Sequence, residues 1–222
     1  MSKVPEGRRS SARFIARMLP GAVAAPAAAL VTPCLAVAKR APPKGRGWVH
    51  EILFEGARLQ VEVEKGRVAL RDASGEVATK TFARIARAAA SLPVNRAVID
   101  GIAVVQRPGG ASDRALLDAE LAAGHGERIV LFAFDLLHLD GFDIRAAPLA
   151  ERKRVLAALL AEAALPAIAF SADAEGDGRD FRSEVEAMGL AGMVSKRADA
   201  PYASGASGDW VRVRVSPKPR RA

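Results

Sequence analysis

Leu59, Val61 and Val63 alternate with polar residues up to Lys65 and Gly66, and Val68 and Leu70 resume the alternation beyond them. A period of two on both arms of a glycine turn predicts an antiparallel hairpin with one buried face. An all-helical chain is thereby excluded. A hairpin cannot bury that face alone, so further elements must cover it. Phe82, Ile85, Ala89 and Leu92 recur at helical spacing before Pro93, and Ala97 to Val105 reads as a strand. After a loop at Gly109 and Gly110, Ser112 is placed to cap a short helix running to Ala123, and Ile129 to Phe134 forms a buried strand. Leu149, Val155, Leu156, Leu159 and Leu160 mark one face of a helix opened by Pro148, with Glu151, Arg152, Lys153 and Arg154 assigned to its wet face. Phe181, Val185 and Met188 give another helix, while Val194 with its neighbours and Trp210 to Val215 supply late strands. Hairpins mixed with helices imply an α+β class with largely antiparallel sheets.

Charge is unevenly placed. Residues 1–47 hold nine Lys and Arg against one acid, Glu6, whereas from Trp48 onward 24 basic residues meet 24 acidic ones. Basic ends can collect phosphate oxygens or simply keep a chain soluble. Arg8, Arg9, Arg13 and Arg17 precede an Ala-rich stretch in the order of an export signal, but Pro20, Pro26 and Pro33 break it. The expectation is a poorly ordered leader and linker over 1–47, a folded body over 48–215 and a basic tail over 216–222. The single cysteine, Cys34, fits a reducing, cytoplasmic setting, and no run reaches the roughly 18 apolar residues of a membrane span.

Generic searches for chemistry fail. His50, His125 and His138 lack ligand spacing, so no metal site is expected, and no Walker loop or dinucleotide fingerprint is present. Ser204, Gly205, Ser207 and Gly208 read as a small flexible loop.

Ordered segments are more telling. Trp48 to Arg58 (WVHEILFEGAR) resembles the nucleophile segment of ATP-dependent DNA ligases, especially the bacterial kind linked to end joining. Ile99 to Val105 (IDGIAVV), Leu131 to Gly141 (LFAFDLLHLDG), Leu190 to Arg197 (LAGMVSKR) and Tyr202 to Val215 are similar to the family's later motifs, in family order and spacing. The resemblance implies a nucleotidyltransferase fold, the ligase adenylation domain, with antiparallel sheets flanked by helices and an ATP-grasp-like arrangement. It also implies ATP and magnesium as cofactors and nicked or broken DNA as partner. The expected unit is an isolated adenylation domain with a basic leader and no following nucleic-acid-binding barrel.

In that family the lysine of Lys-x-Asp-Gly attacks the α-phosphate of ATP to form lysyl-AMP. Leu53 occupies that position here, and none of the eight lysines opens a Lys-x-Asp/Glu-Gly pattern elsewhere. A hydrocarbon side chain has no lone pair to donate. Ile102 stands where the resemblance implies a ribose-holding glutamate, Ala191 where it implies a metal-side glutamate, and Ala73 where it implies an arginine. No catalytic residue is therefore assigned, and a pseudoenzyme unable to form lysyl-AMP is expected.

Binding equipment carries over by position. Phe134 matches the adenine-stacking aromatic, Arg58 the arginine after the nucleophile loop, Glu51 the acid two before it, and Lys196 the lysine of the fourth motif. Arg212 and Arg214 match two phosphate-facing lysines, with a planar fork in place of a compact ammonium. Ordinary readings stand beside these: Phe134 as core, Arg212 and Arg214 as a solvated strand edge, Glu51 and Arg58 as a surface pair. Three functions stay open: a ligase using another nucleophile or sealing preadenylylated ends, a nucleotide- or DNA-end-binding module serving a repair partner protein, and a copy retained only as a fold.

Overall fold

A computed structural model describes residues 11–27 and 30–215. Helix α1 (Ser11–Met18) leads to a short strand β1 (Val23–Ala24), then β2 (Cys34–Ala38), β3 (Trp48–Ile52), β4 (Ala57–Glu64) and β5 (Arg67–Asp72). The chain continues through α2 (Ala83–Ala89), β6 (Arg96–Val104), α3 (Arg114–Ala122), β7 (Val130–Leu139), β8 (Phe142–Asp143) and α4 (Leu149–Ala163). It closes with β9 (Ile168–Phe170), β10 (Asp173–Glu175), α5 (Gly178–Ala187), β11 (Gly192–Arg197) and β12 (Gly205–Arg214). No helix among the described residues is long and apolar enough to cross a membrane.

The expected hairpin is β4–β5, in register from Leu59 opposite Asp72 to Glu64 opposite Arg67. Lys65 and Gly66 both have positive φ, at 49° and 76°, which suits the tight turn whose twist matches its strands. This hairpin belongs to a larger sheet ordered β1-β8-β7-β6-β4-β5, with β9 alongside β7. A second sheet runs β10-β3-β11-β12-β2. Pairing is antiparallel except for β7–β9 and β12–β2, which are parallel. The main core lies under the larger sheet, where Leu59, Val61, Ile99, Leu131 and Leu136 meet Ile85 of α2 and Val155, Leu156 and Leu159 of α4.

Four expectations need correction. Residues 11–27 and 30–47 are not a loose leader: Ala16 and Leu19 are buried in the main core, and β2 is a strand of the second sheet, so the body begins well before Trp48. Long-range strand pairing is invisible to a local pattern in which prolines dominate. Asp113, not Ser112, caps α3, accepting from the amides of Ala115 and Leu116, because its carboxylate sits one residue closer to the free donors. Ser112 Oγ instead accepts from Glu55 N at 2.7 Å. The run at Ser204–Gly208 is no loop, since β12 starts at Gly205 and carries a bulge between Ser207 and Val211. Finally, Arg152 and Lys153 of α4 are buried rather than wet.

Candidate functional site

Strand β3 is flanked by β10 and β11, and strand alternation sends neighbouring side chains to opposite faces. His50 faces α5, with Phe181 5.7 Å away between ring centroids and Ser195 Oγ 2.9 Å from Nδ1. Glu51 points the other way, into the molecule. There its Oε1 accepts from Lys153 Nζ and Lys196 Nζ, both at 2.8 Å, and its Oε2 accepts from Ser171 Oγ at 2.9 Å. Lys153 also bonds Asp173 at 3.0 Å, so two ammonium groups meet two carboxylates. Burial pushes the Glu51 carboxyl upward, but Lys196 and Lys153 outweigh it and hold the group below the ordinary carboxylate range. Burial lowers Lys196, with Glu51 opposing that fall and the like charge of Lys153 adding to it. On Lys153 the effect of burial is overcome by Glu51 and Asp173, and its pKa rises.

A second charge set lies on the larger sheet. Arg58 of β4 forms a two-point pair with Asp100 of β6, Nε to Oδ1 at 3.0 Å and Nη2 to Oδ2 at 2.6 Å. Tyr202 Oη donates to Asp100 Oδ2 at 2.7 Å and accepts from Cys34 N at 2.9 Å. Asp100 is fully buried, which only such a set of partners makes tolerable. Burial opposes the Arg58 charge, and Asp100 more than compensates, holding the guanidinium above its ordinary value. Cys34 beside it is a structural thiol, pushed up by burial to about 11. A third pair, Arg152 with Asp135, is 0% exposed on both sides and spans α4 to β7 at 2.8 and 2.9 Å.

Phe134 of β7 lies between these sets. Its ring meets Trp210 edge-on at 5.7 Å, Lys196 Nζ sits 4.3 Å from both centroids, and Arg58 Cζ is 5.2 Å from that of Phe134. Two cations from the chain itself therefore contact the ring expected to stack on a base. Phe134 is 7% exposed and Lys196 2%.

Of the substituted positions, Ile102 packs against this cluster. Leu53 follows β3 directly, and its N donates to Gly192 O at 2.9 Å. Gly192 has φ +151°, and a Cβ there would collide with the Val213 carbonyl, so glycine is required. Ile102 lies opposite Arg58 on β4 and Phe132 on β7, and packs against the cluster containing Phe134. Ala191 accepts from Val215 N at 3.1 Å. Ala73 is exposed on the turn after β5, which Asp72 holds by accepting from the amides of Ser74 and Glu76.

The structure thus joins Glu51, Arg58, Phe134 and Lys196 in one cluster, and the alternative of a Glu51–Arg58 surface pair does not hold: Glu51 pairs with Lys153 and Lys196, and Arg58 with Asp100. Arg212 and Arg214 are both exposed, and Arg214 Nη1 reaches Glu55 Oε1 at 2.6 Å. Lys153, Asp100, Tyr202 and Trp210 are cluster members that sequence reasoning missed. For Lys153 and its neighbour Arg152 a signal existed: Arg152 is three residues after Leu149 and four before Leu156, on the apolar face.

The chain matches the family model described as ATP dependent DNA ligase domain over residues 29–214. It is 33% identical over 184 residues to a multifunctional non-homologous end joining protein LigD of Pseudomonas aeruginosa, taking in 83% of this chain and 22% of that one. Its fold is similar to the ligase domain of LigD from M. tuberculosis, with a TM-score of 0.71, 28% identity, and coverage of 82% of this chain and 60% of that one. It is also similar to a mycobacterial DNA ligase D complexed with ATP and MES, at TM-score 0.69 and 27% identity, with the same coverage. The chain spans about a fifth of that curated relative and three fifths of the two solved chains. Its α+β architecture, with mostly antiparallel sheets flanked by helices, is that of the ligase adenylation domains. With its motif order, its cluster behind β3 and a match over most of its length, the chain belongs to the ATP dependent DNA ligase domain family.

Proposed function

We propose that this domain does not form the enzyme-AMP intermediate of its family and serves DNA end joining as a non-catalytic module that holds DNA ends. The observation that carries this reading is Leu53. The covalent step needs a nitrogen lone pair at the residue following β3, and a leucine side chain offers none.

The surrounding residues do not fit a nucleotide either. Phe134, expected to stack on adenine, is already contacted by Lys196 and Arg58, and Lys196 is held by Glu51. Ile102 and Ala191 supply hydrocarbon where ribose and metal would need oxygen. The DNA-facing part of the reading rests on family membership and on exposed Arg212 and Arg214, of which Arg214 reaches Glu55 in the segment after β3. Sealing would then be carried out by a partner enzyme.

Incubation with α-labelled ATP and magnesium tests the first half. We expect no stable label on the protein and no sealing of a preadenylylated nick. Label that survives denaturation would overturn the reading. For the second half, binding to DNA should be measurable at low salt and weaken steeply as salt rises.

A further inference from the structure

The segment joining β2 to β3, residues 39–47, carries Lys39, Arg40, Lys44 and Arg46 and no acid. It is firmly held. Lys39 N donates to Arg212 O at 3.0 Å, and Ala198 N donates to Gly47 O at 2.9 Å. Arg182 Nη1 donates to Arg40 O at 3.2 Å and Arg197 Nη1 to Arg46 O at 3.4 Å. Pro42 is buried against the start of α5, where a Cβ on Gly178 would come within 2.7 Å of Pro42 and 3.0 Å of His50. Every anchor engages a backbone atom of the segment or an apolar side chain, so none consumes the charge of the four cations.

Beside this arch opens a cleft of about 930 Å³, walled among others by Lys44, Arg46, Trp48, Glu175, Asp177 and Arg179. Asp177 is committed to Arg179 at 2.6 Å, and Asp199 to Arg197 at 3.0 Å. Lys39, Arg40, Lys44 and Arg46 are exposed and, among the described residues, have no carboxylate at ion-pair distance. Glu175 is the one lining carboxylate not engaged by a cation among the described residues. Trp48 is half-buried and lines the cleft, its ring centroid 5.5 Å from the Arg197 guanidinium. At roughly 3.3 Å per residue along β3, Trp48 lies about 16 Å from Leu53, which puts the cleft at the opposite end of the strand from the adenylation positions.

We propose that this cleft binds single-stranded DNA, with phosphates on the Lys44 and Arg46 side and an unstacked base against Trp48. The inference rests on the DNA-end reading above and gives it a location. Uncompensated cations on a pre-fixed loop release counterions when a polyanion arrives. An aromatic wall inside a concavity rewards bases free of a duplex, whose π-faces are otherwise hidden. A blunt duplex presents phosphates to the rim but no base to Trp48.

The test uses the full chain, a labelled thymidine oligonucleotide and a blunt duplex of two separate strands, with anisotropy read over a salt series. Neutralising Lys44 and Arg46 together (Lys44→Ala, Arg46→Ala) should weaken oligonucleotide binding at least tenfold at low salt. It should also reduce the slope of log affinity against log salt by about 1.4, from about 0.7 per phosphate contact. Oligonucleotide should quench tryptophan emission in the parent and not in Trp48→Phe, since Trp210 is buried at 3% exposure and gives a constant background. Both substituted positions of the double variant are exposed, and a thermal midpoint equal to the parent's confirms its fold. Unchanged affinity in the double variant overturns the cleft while leaving the DNA reading intact. Equal binding of the blunt duplex overturns the single-strand assignment. Failure of the parent to bind either DNA at low salt overturns both.

Discussion

The ion-paired cluster behind β3 and the turn that follows it are a few residues apart and differ in chemical character. Within the cluster, Glu51, Lys153, Lys196, Arg58, Asp100, Arg152 and Asp135 are ionisable side chains, and each has an oppositely charged partner inside the chain. Just beyond, Leu53, Ile102 and Ala191 are hydrocarbon at positions where the family resemblance implies groups facing a bound nucleotide. The difference lies in what each charge has to answer to. Removing one member of a buried pair leaves its partner unsolvated, at a cost of about 3–5 kcal/mol. A group whose partner is a ligand can be replaced by an apolar one without that penalty. The fold therefore enforces one set and is indifferent to the other.

The largest effects should fall on the enforced set. Arg152→Met is expected to lose about 3–5 kcal/mol in urea unfolding, and Arg152→Met with Asp135→Leu to regain most of it, because the orphaned charge is gone. A double variant no more stable than the single one would break the comparison. Glu51→Gln should be nearly as damaging, since among the described residues it leaves Lys153 with Asp173 as its paired carboxylate and Lys196 with none. On the permissive side, Leu53→Lys should fold with a smaller loss and still acquire no label from ATP, as Ile102 and Ala191 remain; recovery of labelling would show the pocket intact.

The acid response sharpens the same contrast. Burial holds His50 and His138 below the ordinary histidine value of 6.5, so below that pH the unfolded chain binds more protons than the folded one. Stability should therefore decline as pH falls from about 7 through 6. Among the described residues His138 Nδ1 is buried without a partner, so protonation there adds an unsatisfied donor. Denaturation midpoints measured at several pH values should flatten in His138→Asn. Glu51 acts lower down: its lowered pKa contributes stability above about 4.5 that disappears as pH drops through the folded value. Smaller still, Ser112→Ala removes the bond to Glu55 N and should cost about 1 kcal/mol. Glu151→Ala, which breaks the exposed pair with Arg154, should leave the midpoint unchanged.

Legibility in the sequence followed the range of the interactions. The β4–β5 hairpin and the α4 core face were readable because alternation and helical spacing are local. The cap of α3 was missed by one residue, a choice that depends on which oxygen reaches two amides. Arg152 and Lys153 were misassigned because charge was given more weight than spacing, while their partners Asp135 and Glu51 lie 17 and 102 residues away. Motif order located the cluster around Glu51, Phe134 and Lys196. It could not reveal that Lys196 folds onto Phe134, since that contact requires two strands from different sheets.

The parallel pairing of β2 with β12 imposes a schedule on the ribosome. Cys34 has Gly205 as its register partner, so at roughly 5–20 residues per second the early strand waits between about ten and thirty seconds for its neighbour to be translated. The adjacent strands β7, β6, β4 and β5 have no such delay and can assemble first. A nascent chain halted before residue 205 should therefore resist protease across those four strands while remaining cleavable near Cys34.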